Sequence, residues 1–224
     1  MNQSLLVSQI FTECNRSREM LGDIVKTAEH VQEISMNAAV SASHTGNHIR
    51  IFTEMARQIH HTAQKILAYA ASTREEIDHA SNQILNAVLN QSHLQKYNLA
   101  AVGLQGTRNA TILNATIQNL EYEVVEKIRA VYFGLLRCQS YIKNLVQMQN
   151  RIFAILNSMK IETIGLSEQE QIIVQSLTEA LEENHDMGLR GIEYLAAMIG
   201  AIRQSIKTNL FFNKDFYDET RQAV

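Results

Sequence analysis

Two tetrads in this chain have the spacing of metal ligands. Glu76-Ile77-Asp78-His79 and Glu182-Glu183-Asn184-His185 are both E-x-x-H. On a helix, residues three apart share a face, so each tetrad can aim a carboxylate and an imidazole the same way. Ferritin-like di-iron bundles use two such tetrads, with one further Glu from each of two other helices. Three features argue against that chemistry here. Counted from the chain reversals read near 46 and 165, His79 lies about 33 residues from its turn and His185 only about 20. With the turns level, that is an axial mismatch near 20 Å at about 1.5 Å per residue. No Glu or Asp lies between Ala130 and Ile161, where a partner carboxylate for His185 belongs, and Glu76 and Glu182 stand beside the apolar seam rather than in it. A metal-binding bundle is therefore the outside reading, and neither a metal nor another cofactor is expected.

The other candidates for chemistry are weaker. His44 and His48 flank a turn, and His60 and His61 are adjacent, but neither pair comes with the cysteine or carboxylate partners of a tetrahedral site. Most histidines are expected on exposed helix faces. Cys14 and Cys138 lack ligand spacing and read as reduced, half-buried seam residues of a cytoplasmic protein. There is no G-x-S-x-G, P-loop, dinucleotide fingerprint or Cys–His pairing. No catalytic residue is assigned, and the chain is expected not to be an enzyme.

The elements that would carry these residues are long helices. A first seam reads Val7, Ile10, Cys14, Ser17, Leu21, Ile24, Ala28, Val31, Ser35, Ala38, Ala42. A second continues through Phe52, Ala56, Ile59, Ala63, Ile66, Ala70, Thr73, Ile77, Ala80, Ile84 and Ala87 to Leu94. Alternating spacings of three and four over this many heptads mark helices packed as a coiled coil. The stretch 98–109 holds Gly103 and Gly106, and a third periodic segment follows from Leu113 to Met159. It stops near Gly165, where Ser167 and Glu170 have the spacing of a capping box. A fourth runs from Val174 to Leu210, in which Leu181 is followed by Gly188, Ile192 and Leu195, and residues 211–224 lose the period and read as a tail.

The expected fold is all-α: an elongated antiparallel four-helix coiled-coil bundle over 1–210, made of two helical hairpins. Hairpin 1 covers 1–102 with its tip near 46, and hairpin 2 covers 107–210 with its tip near 165. Helices of about 40 to 57 residues predict a rod roughly 60–85 Å long. The even spacing of the turns suggests duplication, leaving open a monomeric pseudo-dimer or a homodimer. Composition agrees. The chain has no proline among 224 residues, so nothing breaks a long helix. Only 6% of residues are aromatic, which suits narrow helix–helix seams. A net charge of -3 without a basic block gives no footprint for nucleic acid. No segment approaches the roughly 18 apolar residues that span a membrane, and the N-terminus lacks the basic start and apolar run of a signal peptide.

The reversal near Gly46 carries a resemblance. Residues 37–52, Asn-Ala-Ala-Val-Ser-Ala-Ser-His-Thr-Gly-Asn-His-Ile-Arg-Ile-Phe, resemble the hairpin tip of the cytoplasmic signalling domain of methyl-accepting chemotaxis receptors, N-A-A-[IV]-E-A-A-R-A-G-E-x-G-R-G-F. Asn37, Ala38, Ala39, Val40, Ala42, Gly46, Arg50 and Phe52 match, with Ala56 just beyond. The second tip matches that motif at Ile161, Glu162 and Glu168 around Gly165. The resemblance implies a signal-transduction role through protein contacts. The partners it implies are a chemotaxis kinase, its adaptor, or other receptor-like hairpins. The contact residues it implies are Asn37, Val40, Ser41, His44, Gly46, Asn47, Arg50 and Phe52, with Glu162, Gly165 and Glu168 at the second tip. The family's charged tip positions fall on Ser41, His44 and Asn47, and two of its glycines on Ile49 and Ile51. Apolar positions of its kinase surface fall on Glu29 and Glu33. Those departures predict a retained hairpin without the family's usual kinase coupling. A Glu pair at Glu75-Glu76 comes close to the family's methylation pattern but lies nearer the tip and reads as a solvated face. The alternative reading is a helical scaffold or adaptor unrelated to chemotaxis.

Overall fold

The computed structural model describes residues 3–43, 50–103 and 108–210, with side chains described for 8–40, 50–103, 108–168 and 170–208. Four α-helices fill them: α1 (Gln3–Ser43), α2 (Arg50–Val102), α3 (Arg108–Glu162) and α4 (Glu168–Leu210). No strand occurs among the described residues. Helices of 41 to 55 residues are several times the usual length. They persist because no proline interrupts them and because each has an unbroken apolar stripe to bury.

The α3–α4 reversal is a 3-10 turn, Thr163–Gly165, after which Leu166 swings into extended backbone. Ser167 then caps α4 as its spacing predicted. Its backbone N–H donates to Glu170 Oε2 at 3.0 Å, and its hydroxyl donates to the same oxygen at 2.6 Å. Glu168 and Glu170 in the first turn also complement the positive end of the helix dipole. The reversals near 46 and near 105 fall largely outside the described residues.

The chain packs as two units. Unit 1 takes residues 1–18, 75–138 and 198–224, and unit 2 takes 19–74 and 139–197. In unit 1, Arg18 of α1 meets Asp78 of α2 at 2.6 Å. Glu76 of α2 receives a two-point contact from Arg137 of α3, at 2.6 and 2.7 Å. Arg203 of α4 lies over the Tyr132 ring of α3, 5.3 Å from its centroid. The core of this unit is built from Ile77, Ile84, Val131, Leu135, Ile199 and Ile206.

Unit 2 buries Leu21, Ile24, Ile59, Ile66, Leu145, Ile152, Leu156 and Leu195. There α2 meets α1 through His60 and the Gln32 carbonyl, and Lys160 of α3 meets Glu182 of α4 at 2.5 Å. A Cβ placed on Gly191 of α4 would lie 3.2 Å from Ile24 of α1. These contacts make each unit an antiparallel packing of helices. Ile24 is 19 residues from the end of α1 and Gly191 is 23 residues from the start of α4, about 28 and 34 Å. The α1–α2 and α3–α4 hairpin ends therefore lie at one end of unit 2.

The predicted seams are buried almost throughout, including Ser17, Ser35 and Thr73. Burial also includes Ile128, Gln149, Thr178 and His185, which the apolar pattern passes over, whereas Leu94, Leu113 and Leu177 are only half-buried. The reason is geometric. Counting four residues on from Val174 and Leu181 puts Thr178 and His185 in the seam whatever their polarity. Leu94 and Leu113 belong to the part of the α2–α3 pair beyond the last deeply buried α2 residue, Ala87.

Glycine substitutions test this packing. Gly22 and Gly200 are helical, and a Cβ on either meets nothing within 4 Å. Gly22→Ala and Gly200→Ala should each stabilise by about 0.5–1 kcal/mol. A Cβ on Gly188 would overlap the Gln149 amide nitrogen, so Gly188→Ala should destabilise by about 1–3 kcal/mol. Urea unfolding of the three variants measures both signs.

Candidate functional site: the hairpin ends of unit 2

At the first tip, Phe52 is buried at the start of α2, where it anchors the chain leaving the turn. Val40 is 55% exposed, and Met36 and Ile51 are exposed beside it. Asn37 and Arg50 are exposed as well. The Ser41 side chain, His44, Gly46 and Asn47 lie outside the described residues. At the second tip Glu162, Gly165 and Glu168 are all exposed. The more informative residues there were not among the expected contact residues, although Ile161 was a motif match. Ile164 is 81% exposed on the 3-10 turn, Ile161 is 68% exposed one turn earlier, and Ile172 and Ile173 are exposed on the first turns of α4. The signal that could have found them was available: all four fall outside the 3-4 register that buries Met159 and Val174. Water-exposed apolar side chains of this size are unusual on a helical surface whose seams are already buried, and they are the feature of this end that packing within the unit does not explain.

The two E-x-x-H tetrads fall in different units. Glu76 and His79 belong to unit 1, whereas Glu182 and His185 belong to unit 2. Glu76 is taken by Arg137 and Glu182 by Lys160, so each carboxylate already has a cation from α3. Most described histidines are exposed or half-exposed, but His185 departs from that expectation, being only 5% exposed. Its Nδ1 lies 3.1 Å from Asp186 Oδ1 and, facing a carboxylate oxygen, is the nitrogen that donates. The Phe153 ring stacks on the imidazole with centroids 5.5 Å apart. One turn away, the Gln149 amide and the Thr27 methyl both crowd the position a Cβ on Gly188 would take. Neither His185 Nε2 nor Gln149 Oε1 has a hydrogen-bond partner among the described residues. Buried polar atoms left without a partner cost stability.

Cys14 and Cys138 are free thiols in the seams of unit 1, and they are fully buried where the sequence suggested half-burial, because the seam positions they occupy are closed on all sides. Burial pushes Cys14 up to about 11, with the neighbouring Ser81 hydroxyl offsetting part of the shift. Burial, followed by the negative charge of Glu76, pushes Cys138 up to about 12. Thiols held in the protonated form are poor nucleophiles and poor metal ligands.

No protein-family model, curated protein or solved structure matches this chain.

Three measurements follow from this geometry. Phe52→Ala should cost about 3–5 kcal/mol, because it empties a packed site, whereas Val40→Ala at the exposed face of the same tip should stay within about 0.5 kcal/mol. Replacing His185 by Leu removes an unsatisfied buried nitrogen, a liability of about 1–3 kcal/mol, and should leave the protein at least as stable in thermal melts. The thiols give a pH signature. In the unfolded chain they ionise near 9.0, whereas in the folded chain they stay protonated to about 11 and 12. Their contribution is full below pH 9 and is lost as pH rises through 11–12. The Cys14→Ala/Cys138→Ala double variant should therefore lose stability less steeply than the wild type above pH 9 in urea titrations.

Proposed function

We propose that this chain is a non-catalytic signal-transduction protein that acts through protein–protein contacts at the paired hairpin ends of unit 2. The observation that carries the reading is the apolar surface there: Met36, Val40 and Ile51 at the first tip, and Ile161, Ile164, Ile172 and Ile173 at the second. Burying large side chains that water now surrounds is the main favourable term in association. The resemblance of residues 37–52 to the chemoreceptor signalling hairpin supports the same end of the molecule as the contact region. In that family the tip meets a histidine kinase and a coupling adaptor.

The residues present point to a shifted partner preference. Ser41, His44 and Asn47 replace the family's charged tip positions, and the described face carries isoleucine, valine and methionine. A partner for this surface presents an apolar patch of its own, not the charge pattern that pairs with the family's tip. Two buried thiols, unfavourable for oxidation, fit a reducing compartment and support a cytoplasmic setting. No described helix is long and apolar enough to cross a membrane.

The test has two arms. In a reconstituted assay with a chemotaxis kinase and its adaptor, the wild-type chain should not activate the kinase; strong activation would overturn the loss of coupling. In a pull-down from the native cell lysate, the captured partner should be lost by at least about fivefold with Val40→Glu/Ile164→Glu, the range expected for hot-spot residues. Both positions are exposed, so circular dichroism should be unchanged. Capture that survives the double variant would remove the hairpin ends as the contact surface.

A further inference from the structure

We propose that the groove between α1 and α4 in unit 2 binds a single-chain amphiphilic carboxylate of the fatty-acid type. This site lies on the side of the helices and is independent of the hairpin-end reading. The groove has a volume of about 530 Å³, inside the 300–1,000 Å³ range of ligand pockets. On α1 it runs from Met20 to His30, ten residues, or about 15 Å of helix.

The floor is formed by Ile24, Thr27 and Gly191. A Cβ on Gly191 would already lie 3.2 Å from Ile24 of α1, so a larger residue there would fill the floor. The walls are Met20, Met187 and Tyr194. Unbranched methionines adapt to a flexible aliphatic chain better than branched side chains do. The rest of the lining is polar: Asp23, Lys26, His30 and Arg190.

Charge decides which headgroup belongs there. Asp23 is within 3.5 Å of Lys26, and the two cancel. Arg190 donates from Nε to the Asp186 backbone carbonyl at 3.2 Å and has no carboxylate partner among the described residues. With His30 neutral, the lining carries Lys26 and Arg190 against Asp23, a net of +1, in a chain whose net charge is -3. A guanidinium takes a carboxylate through two parallel N–H···O bonds, which fixes the headgroup while the apolar floor takes the chain. A cationic amphiphile would meet the same rim with repulsion.

Isothermal titration calorimetry with the whole chain tests this, using decanoate below its micelle-forming concentration and decyltrimethylammonium as the cationic control. Decanoate should saturate at one per chain and the ammonium compound should not. Arg190→Gln, an exposed substitution, should weaken decanoate by about tenfold or more, the loss of one charge-assisted pair. Gly191→Leu should abolish binding while the helical circular dichroism is retained. Equal binding of the cationic amphiphile, no saturation by decanoate, or wild-type affinity in Arg190→Gln would each overturn the assignment. Binding to anionic lipid vesicles without binding of monomeric decanoate would overturn it too, because it would make the groove part of a membrane-facing surface.

Discussion

Everything in this protein depends on burying one stripe of α2. That helix presents Ala56, Ile59, Ala63, Ile66, Ala70, Ile77, Ala80, Ile84 and Ala87 to the interior, alternating small and branched. The alanines let neighbouring backbones come close, and the isoleucines fill the space between them. The facing helices answer with larger residues, among them Leu135, Leu145, Leu156 and Met159 on α3. Interdigitation of small and large side chains reaches interior packing density without voids or strained rotamers. A 53-residue helix with little intrinsic reason to persist in water is held by that burial.

Polar groups act on this frame in two ways. At the surface, the Arg18–Asp78, Arg137–Glu76 and Lys160–Glu182 pairs tie one helix to the next, and each is at least partly exposed. Pairs of that kind contribute little free energy and matter more for which residue stands opposite which. In the interior of unit 2, Gln149 and His185 occupy seam positions with Gln149 Oε1 and His185 Nε2 unsatisfied among the described residues, and Gly188 makes room for the Gln149 amide. An apolar residue at 185 would pack at least as well as imidazole. The polar break is a local weakness that the surrounding Leu and Ile side chains offset.

The functional readings separate along the same lines. The described seam residues are committed to packing, and the buried thiols are held protonated. What is left for recognition is whatever falls off the seam. At the hairpin ends that is a set of exposed isoleucines, valine and methionine; along the α1–α4 side it is a groove floored by a glycine and rimmed by cations.

The local pattern was enough to show that this chain is four long helices, where α1 through α4 run, and that Ser167 and Glu170 start the last of them. These are properties of periodicity, capping and absent proline, which act over a few residues and need no partner. It also put both thiols in the seam, though not their full burial, and marked Phe52 as a buried anchor. It could not show that His185 and Gln149 lie in the seam, because a reading that ranks positions by hydrophobicity skips polar ones that register alone has buried. Nor could it show the exposed isoleucines as one surface, or the groove at all. Ile24 and Gly191 are 167 positions apart in sequence, and only packing α4 against α1 brings them together. Periodicity specifies which face of a helix is buried; what that face meets depends on the other helices.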